Sequence, residues 1–97
     1  MTVFQKIGVI GAGIMGAGIA QRCATFGYRV SLVDMKEECL QSARMRIVRS
    51  VDKLMEKETF PRDSLADVLP LIDFATDFET VSSCDLVIEA VNENPDL

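Results

Sequence analysis

The chain has 97 residues, 48% of them hydrophobic and 26% charged, with a net charge of −5. That length holds one domain at the small end of the usual range, and that apolar content excludes a disordered chain. The acidic balance argues against a nucleic-acid-binding protein, which needs a basic face, and the apolar runs fall short of the roughly 18 residues of a membrane span.

Cys23, Cys39 and Cys84 are widely spaced, and the sequence contains no histidine. Common zinc patterns and imidazole chemistry are thereby excluded within this chain, so no metal site is expected. An odd cysteine count without a framework fits a reducing compartment. Met1 to Lys6 shows no signal peptide, and the cytoplasm, or else an organelle matrix, is the expected location.

In chain order, Val3, Phe4, Ile7, Val9 and Ile10 predict a first strand, apolar enough to be buried on both faces. Five of the six glycines then fall between Gly8 and Gly18. Ile14 to Phe26 reads as a helix rich in small residues, with Gly27 placed to end it. Val30 to Val33 predicts a second strand ending at Asp34. From Glu37 to Lys57, Leu40, Ala43, Ile47, Val48, Val51, Leu54 and Met55 recur at helical spacing. Arg44, Arg46, Arg49 and Lys53 fall on the other faces of that helix, where a solvated basic strip is the plain reading.

Thr59-Phe60-Pro61 is expected to break the helix. A short helix over Asp63 to Leu69, ended by Pro70, comes next, then a third strand at Leu71, Ile72 and Phe74. Asp77 to Ser83 predicts a short helical connection, with Ser82 and Ser83 as turn residues and Cys84 as a small buried apolar group. Asp85 to Val91 predicts a fourth strand. Strands alternating with helices give an α/β fold with a Rossmann-type parallel sheet, flanking helices and strand order 3-2-1-4.

Gly11-Ala12-Gly13-Ile14-Met15-Gly16 is a G-x-G-x-x-G pattern between the first strand and the first helix. Gly11 suits the tight turn, Gly13 clears the approach of a pyrophosphate, and Gly16 allows close packing of helix on strand. Backbone N–H groups and the dipole at the helix start then favour the phosphate charge. Asp34, 23 positions beyond Gly11, is placed to accept hydroxyls of an adenosine ribose. A 2′-phosphate would meet like charge there, which favours NAD over NADP, although the Lys36 ammonium lies close in sequence. FAD uses a related fingerprint. A Walker A loop and a nucleophile elbow are both excluded.

Three blocks, Lys6 to Gln21 (KIGVIGAGIMGAGIAQ), Gly27 to Asp34 (GYRVSLVD) and Asp85 to Asn94 (DLVIEAVNEN), together resemble the amino-terminal part of the L-3-hydroxyacyl-CoA dehydrogenases, including 3-hydroxybutyryl-CoA dehydrogenases. The resemblance implies an NAD-dependent oxidoreductase of fatty acid metabolism that interconverts L-3-hydroxyacyl-CoA and 3-ketoacyl-CoA. It implies an acyl-CoA substrate, and a homodimer formed through a following helical domain. By position, Gly11, Gly13 and Gly16 would hold the pyrophosphate, with Ile14 and Met15 beside it. Asp34 would bind the adenosine ribose with Met35 near the adenine, and Ala90 and Glu93 would lie near the nicotinamide-side ribose.

In that family the catalytic histidine, its carboxylate partner, and the serine and asparagine that hold the substrate carbonyl all follow this region. A lysine that usually comes a few residues after the Glu93–Asn94 segment is missing here. Residues 1–97 are therefore expected to be the N-terminal portion of a Rossmann NAD-binding domain, with no catalytic residue and no turnover alone. The alternatives are a stand-alone NAD-sensing module and a part of another β-hydroxy acid dehydrogenase.

Overall fold

The computed structural model describes residues 5–56 and 65–91, apart from the side chains of 54–56 and 65–66. Its elements are β1 (Lys6–Ile10), α1 (Ile14–Thr25), β2 (Arg29–Val33), α2 (Glu37–Glu56), α3 (Leu65–Val68), a 3-10 turn at Leu69–Leu71, β3 (Ile72–Ala75), a longer 3-10 turn at Phe78–Ser83, and β4 (Leu86–Glu89). All strand pairs are parallel and the sheet runs β3-β2-β1-β4, the order expected from the sequence. The fold is a Rossmann-type α/β fold.

Register explains the core. Ile7 lies beside Val30 and Val9 beside Leu32, so alternation along the strands turns these four side chains to one face. Against them pack Ala17, Ala20 and Ala24 of α1, and Leu40, Ala43, Ile47 and Val51 of α2. The small side chains of α1 let it lie close to the sheet, while α2 supplies the bulk. The other face is approached by the long 3-10 turn: a side chain at Gly8 would run into Val81 and Cys84. Cys84 is half-buried there, not fully buried as expected, with its thiol close to Gly8 and bonded to the Thr80 carbonyl of its own turn.

Helix ends follow local chemistry. α1 stops at Thr25, one residue before the expected end, because Gly27 takes φ +93° and turns the chain. The Gly27 N–H then bonds the Ala24 carbonyl and the Tyr28 N–H the Cys23 carbonyl, a Schellman closure. Ser82 and Ser83 bond back to the Glu79 and Thr80 carbonyls, as turn residues do. Asp77 caps the same turn through the Glu79 N–H.

Three boundaries differ from the sequence reading. Pro70 does not end a helix but sits inside a 3-10 turn, where its missing N–H is no loss, and Leu71 is used up in that turn before β3 begins. β4 is shorter than Asp85–Val91, because the Asp85 side chain turns back to the N–H groups of Gln5 and Lys6. Val3, Phe4, Lys57, the Thr59-Phe60-Pro61 break and the start of the short helix at Asp63 lie outside the described residues. Among the described residues no helix is long and apolar enough to cross a membrane, and no group of three or more candidate ligands could hold a metal.

Candidate functional site

The carboxyl ends of β1, β2 and β4 meet around the glycine loop. Gly11 leaves β1 with φ +105°, a conformation that L side chains rarely adopt. Its N–H bonds the Val33 carbonyl at the end of β2 at 2.8 Å, and a Cβ there would meet the Ala90 carbonyl at 2.9 Å. Gly16, in the first turn of α1, faces the same spot: a Cβ on it would land on the Gly11 carbonyl. Ala90 is buried at the end of β4, its N–H bonded to the Ile10 carbonyl at 2.7 Å. Gly11, Gly16 and Ala90 thus form one close-packed junction.

Gly13 is the opposite case. It is the N-cap of α1 in extended conformation, and a Cβ there would meet nothing within 4 Å. No side chain caps this helix end and no acidic residue occupies its first turn. The intrahelical ladder begins with the Ala17 N–H on the Gly13 carbonyl at 2.9 Å, so the N–H groups of Ile14, Met15 and Gly16 precede it. With the positive end of the helix dipole behind them, they form an open anion cradle.

Asp34 stands at the end of β2, half-buried. One carboxylate oxygen accepts the Ala12 N–H and the other the Lys36 N–H, each at 2.9 Å. A carboxylate has about four acceptor sites, so both oxygens keep capacity for a hydroxyl. Ile14 and Met15 in the first turn of α1, and Met35 after Asp34, are large apolar residues 70%, 58% and 78% exposed. The structure therefore brings Gly11, Gly13, Ile14, Met15, Gly16, Asp34, Met35 and Ala90 to one end of the sheet. Glu93 lies outside the described residues. An open anion cradle beside a carboxylate with spare acceptor capacity and exposed apolar side chains fits a dinucleotide.

One feature of the surface was not read from the sequence. Ile14, Gly18 and Gln21 of α1 and Arg46, Arg49 and Lys53 of α2 line a groove of about 430 Å³ that starts at the cradle. Arg46, Arg49 and Lys53 are exposed, as expected of a solvated basic strip, and they border this groove, while the Arg44 guanidinium lies 5.7 Å from the centre of the Phe74 ring. The 46, 49, 53 spacing marks one stripe of a helix, but the groove exists only once α1 and α2 are packed together.

Comparison with known proteins points the same way. Residues 6–97 match the family described as "3-hydroxyacyl-CoA dehydrogenase, NAD binding domain". A "Probable 3-hydroxybutyryl-CoA dehydrogenase" of Deinococcus radiodurans is 46% identical over 90 residues, covering 93% of this chain and 32% of that protein. The mitochondrial hydroxyacyl-coenzyme A dehydrogenase of Rattus norvegicus is 37% identical over 98 residues, covering 95% of this chain and 31% of that protein. Among solved structures, the (S)-3-hydroxybutyryl-CoA dehydrogenase of Ralstonia eutropha superposes with a TM-score of 0.88 at 36% identity, covering 97% of this chain and 33% of that one. The chain spans about a third of the length of the curated relatives it matches.

Proposed function

Because the chain belongs to the NAD-binding domain family of the 3-hydroxyacyl-CoA dehydrogenases, we propose that it is the cofactor-holding part of an oxidoreductase interconverting L-3-hydroxyacyl-CoA and 3-ketoacyl-CoA. NAD is the cofactor of that family. When bound, it supplies the hydride acceptor or donor. The observation that carries the reading is the uncapped start of α1, open over Gly13, beside a half-buried carboxylate at Asp34.

On this reading the N–H groups around Gly13, Ile14 and Met15 bind the pyrophosphate, and Gly11 and Gly16 shape the turn that presents them. Asp34 accepts ribose hydroxyls and repels a 2′-phosphate, with Met35 against the adenine. Ala90, at the end of β4, lies beside the nicotinamide-side ribose, and Glu93 shares that role. The groove lined by Arg46, Arg49 and Lys53 has the charge to receive the phosphates of an acyl-CoA. The sequence contains no histidine, so the chain by itself binds the cofactor without turnover.

Calorimetric titration of the 97-residue chain with NAD, NADP and coenzyme A tests these assignments together. Saturable NAD binding is expected, with NADP at least about ten-fold weaker and NAD affinity reduced about ten-fold or more by Asp34→Ala. Arg49→Gln is expected to weaken coenzyme A and leave NAD unchanged. Absence of NAD binding by a folded chain would overturn the reading, and acetoacetyl-CoA reduction by the chain alone would refute its inactivity.

A further inference from the structure

The hydrogen bonds of Asp34 point to a role that its ribose-facing position does not require. Both of its carboxylate oxygens are engaged with main chain before any ligand arrives: Oδ2 with the Ala12 N–H inside the glycine loop, and Oδ1 with the Lys36 N–H in the turn between β2 and α2. We propose that Asp34 is a positioning residue for the pyrophosphate loop, clamping that loop to the β2–α2 turn and so holding the cradle in its binding shape.

Among the described residues, the only other hydrogen bond from the loop to β2 is at its first residue, the Gly11 N–H on the Val33 carbonyl at 2.8 Å. Ala12 is itself buried in the core, but at Gly13, two residues beyond Gly11, a would-be Cβ meets nothing within 4 Å among the described residues, so the tip of the loop is open. Asp34 itself is fixed from the sheet side, its own N–H bonding the Ala75 carbonyl at 3.2 Å. The chain β3, Asp34, Ala12 is thus a continuous hydrogen-bonded path from sheet to cradle. An ionised acceptor makes hydrogen bonds about twice as strong as neutral ones, so one side chain can hold two backbone segments.

The inference rests on the reading of the loop as a phosphate cradle, and it makes a prediction opposite in sign to a purely ribose-binding role. If Asp34 served only the ribose, deleting its negative charge would leave a ribose-free phosphate ligand unaffected or more tightly bound. If it clamps the loop, the same deletion weakens that ligand.

Amide hydrogen exchange, read residue by residue by NMR on the 97-residue chain, decides the first half. In Asp34→Ala, protection at Ala12 and Lys36 is expected to fall about ten-fold or more, while Val9 and Leu32 in the sheet keep theirs and report that the fold survives. Asp34→Asn, whose amide offers one acceptor oxygen, should keep protection at only one of the two. Inorganic pyrophosphate, followed by the shifts of the Ile14 and Met15 amides, decides the second half: binding weakened several-fold by Asp34→Ala supports the clamp. Unchanged protection at both amides, or pyrophosphate binding that is equal or tighter in the variant, overturns it. A wild-type loop that ignores both NAD and pyrophosphate overturns the cofactor reading and the positioning role together.

Discussion

At Gly16 a hydrogen atom is all that fits between α1 and the turn after β1, since a methyl group would occupy the place of the Gly11 carbonyl. Gly16→Ala must push the helix start away from β1 and Ala90. The expected outcome is a loss of about 1–3 kcal/mol in denaturant unfolding, with NAD affinity falling in the variant even where it remains folded. Gly13→Ala should leave stability nearly unchanged by the same measurement, because the space above it is open. The two glycines were both legible in the sequence, since their spacing after an apolar strand is the signal. That Asp34 would bond Ala12 and Lys36 was not, because backbone donors have no sequence signature. Nor was Ser31, fully buried on β2 with no partner for its hydroxyl among the described residues; within Val30-Ser-Leu-Val33 it reads as one polar residue in an ordinary strand.

Among the elements, β4 is fastened to β1 at both ends. Its far end uses the Ala90 N–H, and its start uses the Asp85 carboxylate, which accepts from Gln5 and Lys6 at 2.9 and 3.0 Å. Those two N–H groups hold the Asp85 carboxyl below its ordinary value. A carboxylate depressed in the fold stabilises it above the unfolded value, about 3.9, and that contribution is lost as pH falls through the lower folded value. Asp85→Asn should therefore lower Tm at neutral pH, and the gap to wild type should close as thermal melts are taken below pH 4, roughly the unfolded carboxyl value. Element existence was readable throughout, since helix and strand periods differ. Ends were less so. Asp85 reads as the first residue of a strand until its side chain is seen to serve the neighbouring strand, and Pro70 reads as a stop although a 3-10 turn accepts it.

For the molecule as a whole, the sheet order sets the site. β1 is followed outward by β2 and β3 on one side, and the chain then returns to place β4 on the other. The reversal opens a crevice at the carboxyl ends of β1 and β4, where Gly11 and Ala90 meet. It also leaves β4 at the sheet's edge, with Leu86 and Val87 42% and 43% exposed. An apolar edge strand pairs readily with other chains, so the 97-residue chain is expected to associate with rising concentration. Val87→Lys should shift it toward monomer in sedimentation velocity; an unchanged distribution would place the contact elsewhere. The strand order followed from right-handed crossovers combined with an outward-then-return path of the chain. The α1–α2 groove was not legible, because it is formed by the packing of two helices and has no pattern within either one.

The cradle at α1 has a further consequence. Its donors belong to the main chain, and every side chain around them either is absent, as at Gly13, or turns outward, as at Ile14 and Met15. Side-chain chemistry at Ile14 and Met15 is therefore free to drift without touching the donor atoms. A conventional truncation scan would pass over the residues proposed to hold the pyrophosphate, and would report instead on Asp34 and on glycines that can only be enlarged. Replacing an amide by an ester at residue 14 or 15 deletes one donor and nothing else, and makes the cradle visible to perturbation.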